Sequence, residues 1–572
     1  MMNPRTLREL RQFEKTSQAK SWETYRRIVG RLCQAHSEEP WANTILGLVR
    51  NGNIRDLVDY ADSLSEQKYS DAERHFSANQ IAAIIRKYPF PSELADFQPE
   101  QKAMEKWHES EARCAKTNAY FDGFRHRESD WRILRKIIES IIGEVPSYKR
   151  VFKGCGFGPG ASLGVHGNAT NVARKIASDW SVTPSALNYA FNAIAAHWQF
   201  FEILLEERNG FMCVDDVSAR LRFHSRTRFV HHNKIAFVPK TVKIHRPIAV
   251  EPLLNGYIQK GIDLYLRDCL KEIGIDLSDQ SLNQKFAREG SMDDSQEGFV
   301  TIDLSSASDS VAKALVKDLL PYDWWYLLDN TRSRQYMLNG SDQVGTYEKF
   351  CSMGNGFCFP LETLLFTAAC IFVGAGRPGI DFIVYGDDII VRKRFSGDLI
   401  TLLGDMGFQV NSGKTFLEGP FRESCGADWF GGEDVRPFTL DFRLDSLQSY
   451  FKFLNLSERN ARSSTFFAPI REVIISDIPD CLRFCRPFDG NPDTAYRVEL
   501  DKFMISPFAK WYKPFQCWEW SELISVAVQD DWRSLRNANN SHVMAALVGA
   551  SSTSPFTVRR KTRTNVRRVA HG

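Results

Sequence analysis

Two acidic side chains stand side by side in Tyr385-Gly386-Asp387-Asp388, between the apolar β-type runs Phe382-Ile383-Val384 and Ile389-Ile390-Val391. A tight turn with adjacent carboxylates at its tip is costly to build, because like charges this close repel and one takes up a proton unless a cation neutralises them. Two divalent metal ions about 3.5–4 Å apart would do so, the arrangement used for in-line displacement at phosphorus. A solvated hairpin turn is the plain alternative for the tetrapeptide alone. A second acidic signal lies in the segment Ile302 to Ser310, where an apolar strand ends in Asp303, small hydroxyl residues follow, and Asp309 stands at the start of a helix. Helix capping accounts for Asp309 or Ser308. It does not account for Asp303, which can face a metal while its small neighbours leave room for a substrate.

Three further segments could bind phosphate or sugar. Ser352-Met353-Gly354-Asn355-Gly356 precedes a helix, and its glycines allow close backbone approach to a ligand. Lys240, Lys243 and Arg246 recur every third residue; in an extended chain they would not share a face, but a twisted or looped ribbon could converge them on a triphosphate. A solvated basic edge is the alternative. Gly413-Lys414-Thr415 fails as a phosphate loop because Phe408 stands where a glycine is needed. Lys414 nevertheless lies near enough to Asp388 in sequence to return to the same place. Gly156 to Ala161 fits a relaxed dinucleotide fingerprint, but Pro159 interrupts it and no clear strand precedes it.

The elements that must position these residues read as a mixture. Residues 1–110 show helical spacing, as in Trp22, Tyr25, Ile28, Val29 and Leu32, and carry no visible chemistry. Residues 154–167 form a glycine-rich loop and 183–208 a helix pair. Residues 218–250 alternate basic and apolar side chains, which suits two or three strands with a basic face. An amphipathic helix is expected over 253–273, a strand over 299–304, and helices over 312–320 and 360–372. Helical spacing returns after about residue 440, and residues 551–572 read as a disordered basic tail.

At 572 residues, the chain should hold about three or four domain-sized units. Its 43% hydrophobic and 25% charged content is ordinary for a soluble protein. Net charge is +3, and removing Arg559, Arg560, Lys561, Arg563, Arg567 and Arg568 leaves −3, which assigns the basic excess to the tail. The 12 cysteines include no Cys-x-x-Cys pair and read as reduced thiols of a cytosolic protein. The N-terminus is too polar for a signal peptide, and the longest apolar stretch, 364–375, is too short to span a bilayer.

Taken together, the segments Ile302 to Ser310, Met353 to Phe357, Tyr385 to Ile389, Gly413 to Phe416 and Phe421 to Gly426 resemble the RNA-directed RNA polymerase (replicase) subunits of the single-stranded RNA bacteriophages, the levivirus type. Gly274 to Leu277, Asp279-Gln280 and Asn283-Gln284 match as well, in the family's order over residues 150–440. The resemblance implies an α+β right-hand polymerase with fingers, palm and thumb and an antiparallel palm sheet. It implies an N-terminal helical region at 1–110, fingers at 111–298, a palm at 299–440 with a fingers insertion near 321–350, a helical thumb at 441–550 and the tail at 551–572.

The resemblance also implies template-directed RNA synthesis by two-metal nucleotidyl transfer, with primer-independent initiation, in the cytoplasm of a bacterial host. Two Mg²⁺ ions, or Mn²⁺, would be held by Asp303, Asp387 and Asp388. Lys240, Lys243 and Arg246 would neutralise triphosphate, Lys414 would protonate pyrophosphate, and Asp309, Ser352 and Asn355 would contact the nucleotide. The expected partners are RNA template and product, nucleoside triphosphates, host translation elongation factors Tu and Ts and a small-subunit ribosomal protein, with no membrane. The basic tail would grip RNA. A reverse transcriptase would be expected to block the ribose 2′-hydroxyl with an aromatic side chain after the first Asp; here Leu304, Ser305, Ser306, Ala307 and Ser308 follow. A scaffold with a dead centre would not keep all three carboxylates.

Overall fold

Apolar residues recur at helical spacing through the first 122 residues, and five helices follow from them: α1 (Pro4–Ala35), α2 (Pro40–Asn51), α3 (Ile54–Glu66), α4 (Ala72–Arg86) and α5 (Pro99–Asp122). Asn53 and Asp71 cap α3 and α4, each accepting a hydrogen bond from the backbone three residues on. The computed structural model describes residues 4–123, 127–165, 172–197, 216–338, 340–341, 343–527 and 562–571.

Two hydrophobic cores organise the chain. The larger spans residues 114–408 and is threaded by α6 (Leu253–Glu272) and α7 (Cys358–Phe372). α6 was expected to be amphipathic. It is instead buried nearly all round, and its polar residues Asn255, Gln259 and Asp263 are inside and hydrogen-bonded. The second core joins Leu10 through Phe90 of α1–α4 to Phe430 through Leu523 near the other end of the chain. Treating 1–110 and 441–550 as separate units therefore misses the packing: the two ends share one interior.

Four strands, β1 (His232–Pro239), β2 (His245–Val250), β4 (Gln335–Leu338) and β5 (Val344–Thr346), form a mixed sheet in the order β2-β1-β4-β5, with only β1 and β4 parallel. The other central sheet is antiparallel throughout. It runs β3 (Phe299–Ile302), β7 (Asp388–Arg392), β6 (Ile383–Tyr385), and all four residues of β3 are buried. A further antiparallel hairpin, β8 (Phe421–Ser424) with β9 (Ala427–Phe430), is tied to β3 by the fully buried Arg422, which donates to the Phe299 carbonyl at 2.9 Å.

Several segments differ from their sequence reading. Residues 218–226, the start of the stretch 218–250 expected as strands, lie in the helix Asp216–Arg226, because the buried Ala219 and Phe223 lie four apart and outweigh the alternation of Arg220, Leu221 and Arg222. Only Leu187–Ala195 of the helix pair is seen, and 198–215 lie outside the described residues. The supposedly all-helical 441–550 contains helices Leu447–Leu456 and Ala461–Asp477, then strands β10 (Lys510–Tyr512) and β11 (Cys517–Ala527). The tail, read as disordered, supplies β12 (Thr562–His571), which pairs antiparallel with β11. Arg563, Arg567 and Arg568 fall in that strand, and Arg559, Arg560 and Lys561 lie outside the described residues.

The second core contains a titratable group. His75 of α4 is buried against Phe421 and Phe430, with ring centroids 4.4 and 5.2 Å apart. Burial pulls its pKa from 6.5 down to about 4. The unfolded chain therefore takes up a proton that the folded chain refuses, so stability falls as pH drops from 6.5 towards 4 and is unaffected above that window. The gap corresponds to about 3 kcal/mol at most. Denaturant unfolding at a series of pH values should show this loss, and His75→Phe should flatten it.

Candidate active site

β3 ends at Ile302, which pairs with Ile389 of β7. One further step in this antiparallel register sets Asp303 beside Asp388, so residues far apart in the chain meet at the end of one sheet. β6 and β7 are joined by the two-residue loop Gly386-Asp387, with Tyr385 paired to Asp388. Gly386 has φ 62°, the value a two-residue hairpin loop requires at its first position and one that favours glycine. A Cβ there would also come within 2.3 Å of the Phe359 ring. The Gly386 amide donates to Thr363 Oγ1 at 3.0 Å, fixing the turn on α7.

The segment carrying Lys414 returns to this place by running along the free edge of β3. Isolated bridges join Leu304 to Val410 and Thr301 to Phe416. Within it Asn411 donates from Nδ2 to Asp303 Oδ2 at 2.7 Å and from its backbone to the Asp303 carbonyl at 2.9 Å. Thr415 Oγ1 accepts from the Asp303 amide at 3.2 Å. Asp388 is held from the opposite side by the β8–β9 turn: its Oδ2 accepts from the Cys425 amide at 3.1 Å and from Cys425 Sγ at 3.5 Å.

Burial lifts Asp303 to about 6, with the Asp387 charge adding to it and Lys414 and the Asn411 bond opposing it. Burial likewise lifts Asp388 to about 6, again with Asp387 adding. Glu362 on α7 is fully buried behind the turn. Its pKa stands well above the ordinary value, chiefly through burial and then through Asp387, and Ser308 donates to it at 2.9 Å. Burial is the largest cause at all three carboxyls, and the Asp387 charge adds to each.

Of the expected phosphate-binding cations, Lys240 feels the charge of Asp303, and Arg246 lies near enough to Lys240 to repel its charge. The surrounding chain lowers the Lys240 pKa although the side chain reaches solvent; Arg246, Lys106 and Lys414 lower it further, and Asp303 opposes them. Burial disfavours the charge on Lys414, but Glu423, Asp303 and Asp388 outweigh it and raise its pKa; Glu423 lies at 3.3 Å. Lys243 does not join this cluster. It is ion-paired with Asp59 and Asp62 of α3, so the three-residue spacing splits as extended geometry predicts.

The remaining candidates border the site. Asp309 is ion-paired at 2.8 Å with Lys349, a lysine with no exposed side-chain surface. Asn355 and Ser352 are buried in a loop stitched to β2 by the Ala249 amide, which donates to the Met353 carbonyl at 2.7 Å. Asn355 Oδ1 accepts from the Phe357 amide at 3.1 Å, and Gly354 has φ 107° where a Cβ would meet the Ala249 carbonyl at 2.3 Å. The Gly356 amide donates to Gln259, whose Nε2 in turn donates to the buried Glu251. Sequence reading missed Lys106, Lys349, Glu362, Asn411 and Cys425. Only Asn411 carried a local signal, the polar run 411–415 beside the Lys414 already singled out.

The donor set is hard oxygen, which suits Mg²⁺. Among the described residues no three acidic, His or Cys side chains form a preformed cage.

A strand-end carboxylate beside an Asp-Asp hairpin, with Lys414 interacting with both Asp303 and Asp388, is an arrangement that could hold divalent cations against a triphosphate. The family model described as RNA replicase, beta-chain, matches residues 58–474. The chain is 35% identical over 454 residues to the RNA-directed RNA polymerase subunit beta of Escherichia virus Qbeta, covering 76% of this chain and 71% of that protein. It is 37% identical over 346 residues to the RNA-directed RNA polymerase beta chain of Escherichia phage MS2, covering 58% and 59%. To that of Enterobacteria phage fr it is 37% identical over 370 residues, covering 62% of each chain. The chain belongs to the RNA replicase beta-chain family and is an enzyme of it. The match reaches into both terminal regions, which had shown no motif.

Proposed function

We propose that the chain copies an RNA template into complementary RNA by Mg²⁺-dependent nucleotidyl transfer, starting without a primer. The observation that carries this reading is the register that sets Asp303 beside the Asp387-Asp388 turn at the end of one antiparallel sheet. That sheet serves as the palm of a right-hand polymerase, with the β2-β1-β4-β5 sheet among its fingers. The carboxylates of Asp303 and Asp387 would hold two metal ions, Mg²⁺ or Mn²⁺, with Asp388 anchored behind them by Cys425. Bound there, such ions lower the pKa of a 3′-hydroxyl and offset the charge of a leaving pyrophosphate.

The protein's own groups do the rest. Lys240 and Arg246 orient the triphosphate as it enters, and Lys414 stands by Asp303 to donate a proton to pyrophosphate. Asp309 and the Ser352–Asn355 loop border the ribose, where Leu304 and the small residues 305–308 include no aromatic side chain to block the 2′-hydroxyl. The name of the Qbeta relative includes the word subunit, which supports a larger assembly. We propose host elongation factors Tu and Ts and a small-subunit ribosomal protein as its other members, in the bacterial cytoplasm. No helix among the described residues is long and apolar enough to cross a membrane.

The test is incorporation of labelled nucleotides on single-stranded RNA by the chain purified with its co-purifying proteins. Product is expected with ribonucleotides and Mg²⁺, not with deoxyribonucleotides, and EDTA should abolish it. Preference for deoxyribonucleotides would favour a reverse transcriptase instead, and metal-independent product would overturn the chemistry.

A further inference from the structure

We propose that the groove between α1 and α2 is a second RNA-binding site, one that grips the phosphodiester backbone of single-stranded RNA away from the catalytic carboxylates. The groove encloses about 340 Å³ and is walled by Arg26, Arg27 and Arg31 of α1 and Arg50 of α2. Its floor is open because Gly30 has no side chain, and Leu46 gives it an apolar patch. No residue of the groove is shared with the site around Asp303, and the groove lies before the segment matched by the family model, which begins at residue 58. The identity of the polyanion as RNA rests on the polymerase reading.

The charge balance carries the inference. α1 bears eight basic residues against three acidic ones, although the whole chain carries only +3. Assigning the basic excess to the tail therefore overlooked this helix, because acids elsewhere cancel it in the total. Within the groove Glu23 is the one acid, and α2 has no acid at all. Arg27 and Arg31 stand four apart on one face, a like-charge spacing that destabilises a helix. Among the described residues, Asp477 of the C-terminal part of the chain pairs with Arg27, and no ion pair joins Arg26, Arg31 or Arg50 to an acid. Arg26 donates to the Arg50 carbonyl at 3.2 Å, which sets its guanidinium across the groove without cancelling its charge. Three guanidiniums on two walls, beside the apolar Leu46, are the groups that pair with the phosphates of a single strand.

The experiment measures binding of a long, unstructured, fluorescein-labelled RNA across a salt series. The full-length complex is compared with a variant carrying Arg26→Gln, Arg31→Gln and Arg50→Gln. A control variant carries Lys136→Gln, Lys285→Gln and Lys502→Gln, removing the same charge elsewhere. Losing three phosphate contacts should make the slope of log affinity against log salt shallower by about 2 and weaken binding about tenfold at low salt. The control should keep the wild-type slope, and turnover on a short saturating template should be unchanged in both. In the unaltered protein, 4-thiouridine RNA should crosslink to residues within 23–50, a readout independent of whether the variant folds. An unchanged slope, an equal change in the control, or no crosslink to this segment would each overturn the proposal. Loss of all polymerisation by the wild-type complex would instead count against the polymerase reading.

Discussion

Asp387→Asn should abolish nucleotide addition while leaving RNA binding intact and the fold at least as stable. The amide keeps the size and turn preference of the carboxylate, so the Gly386–Thr363 hydrogen bond and the Tyr385–Asp388 pairing have no reason to change. What is lost is a charge at the tip of the hairpin, where a bound cation would need it. A fall in rate on the order of 10³-fold or more is expected, about 4 kcal/mol of barrier. In the metal-free protein that same charge works against the fold, since it helps to push both Asp303 and Asp388 up to about 6. Removing it relieves repulsion, so thermal unfolding in EDTA should come at an equal or higher temperature. Added Mg²⁺ should then stabilise the wild type more than the variant. Near-normal synthesis by the variant would refute the assignment of Asp387. Loss of activity together with folding would reduce its role to structure.

The chemistry proposed for this centre can be read from the sequence because its residues are local. Asp387-Asp388 and the small residues after Asp303 announce themselves by type and order, and the apolar runs beside them could only be strands. Their meeting was legible only through resemblance, because pairing register between residues 302 and 389 is not written in either segment. Residues that act from a distance left no trace. Lys106 reaches the cations from α5, and Cys425 holds Asp388 through a backbone amide that any residue type would supply. The triplet Lys240, Lys243 and Arg246 shows the opposite failure. Spacing grouped three cations, and tertiary packing gave one of them to Asp59 and Asp62. The merging of both chain ends into one core was invisible for the same reason: each end shows an apolar face, and nothing in either names its partner.

Lys349→Met should cost about 3–5 kcal/mol of stability, the range expected when one partner of a buried ion pair is removed. Lys349 has no exposed side-chain surface and stands between Asp309 at 2.8 Å and Glu111 at 3.4 Å. Its ammonium also lies over the Trp107 ring, 4.4 Å from the centroid, in a slot shaped by aromatic side chains. Methionine fills that slot, so packing loss is small and the cost is electrostatic: two nearly buried carboxylates are left facing each other without a cation. Glu111 is already raised by burial, with Lys349 the largest effect opposing this. Without Lys349 its folded pKa climbs further above the unfolded value. A carboxylate shifted in that direction loses stability as pH rises through the unfolded value, so the penalty should be larger at pH 8 than at pH 5. Adding Glu111→Gln to Lys349→Met should recover part of the loss, because one of the two uncompensated charges is then gone. Chemical denaturation of the two variants at both pH values measures all three effects. A loss below about 1 kcal/mol that does not change with pH would mean that the pair behaves as a solvated surface bridge. The position proposed for Asp309 beside the ribose would then need an anchor other than Lys349.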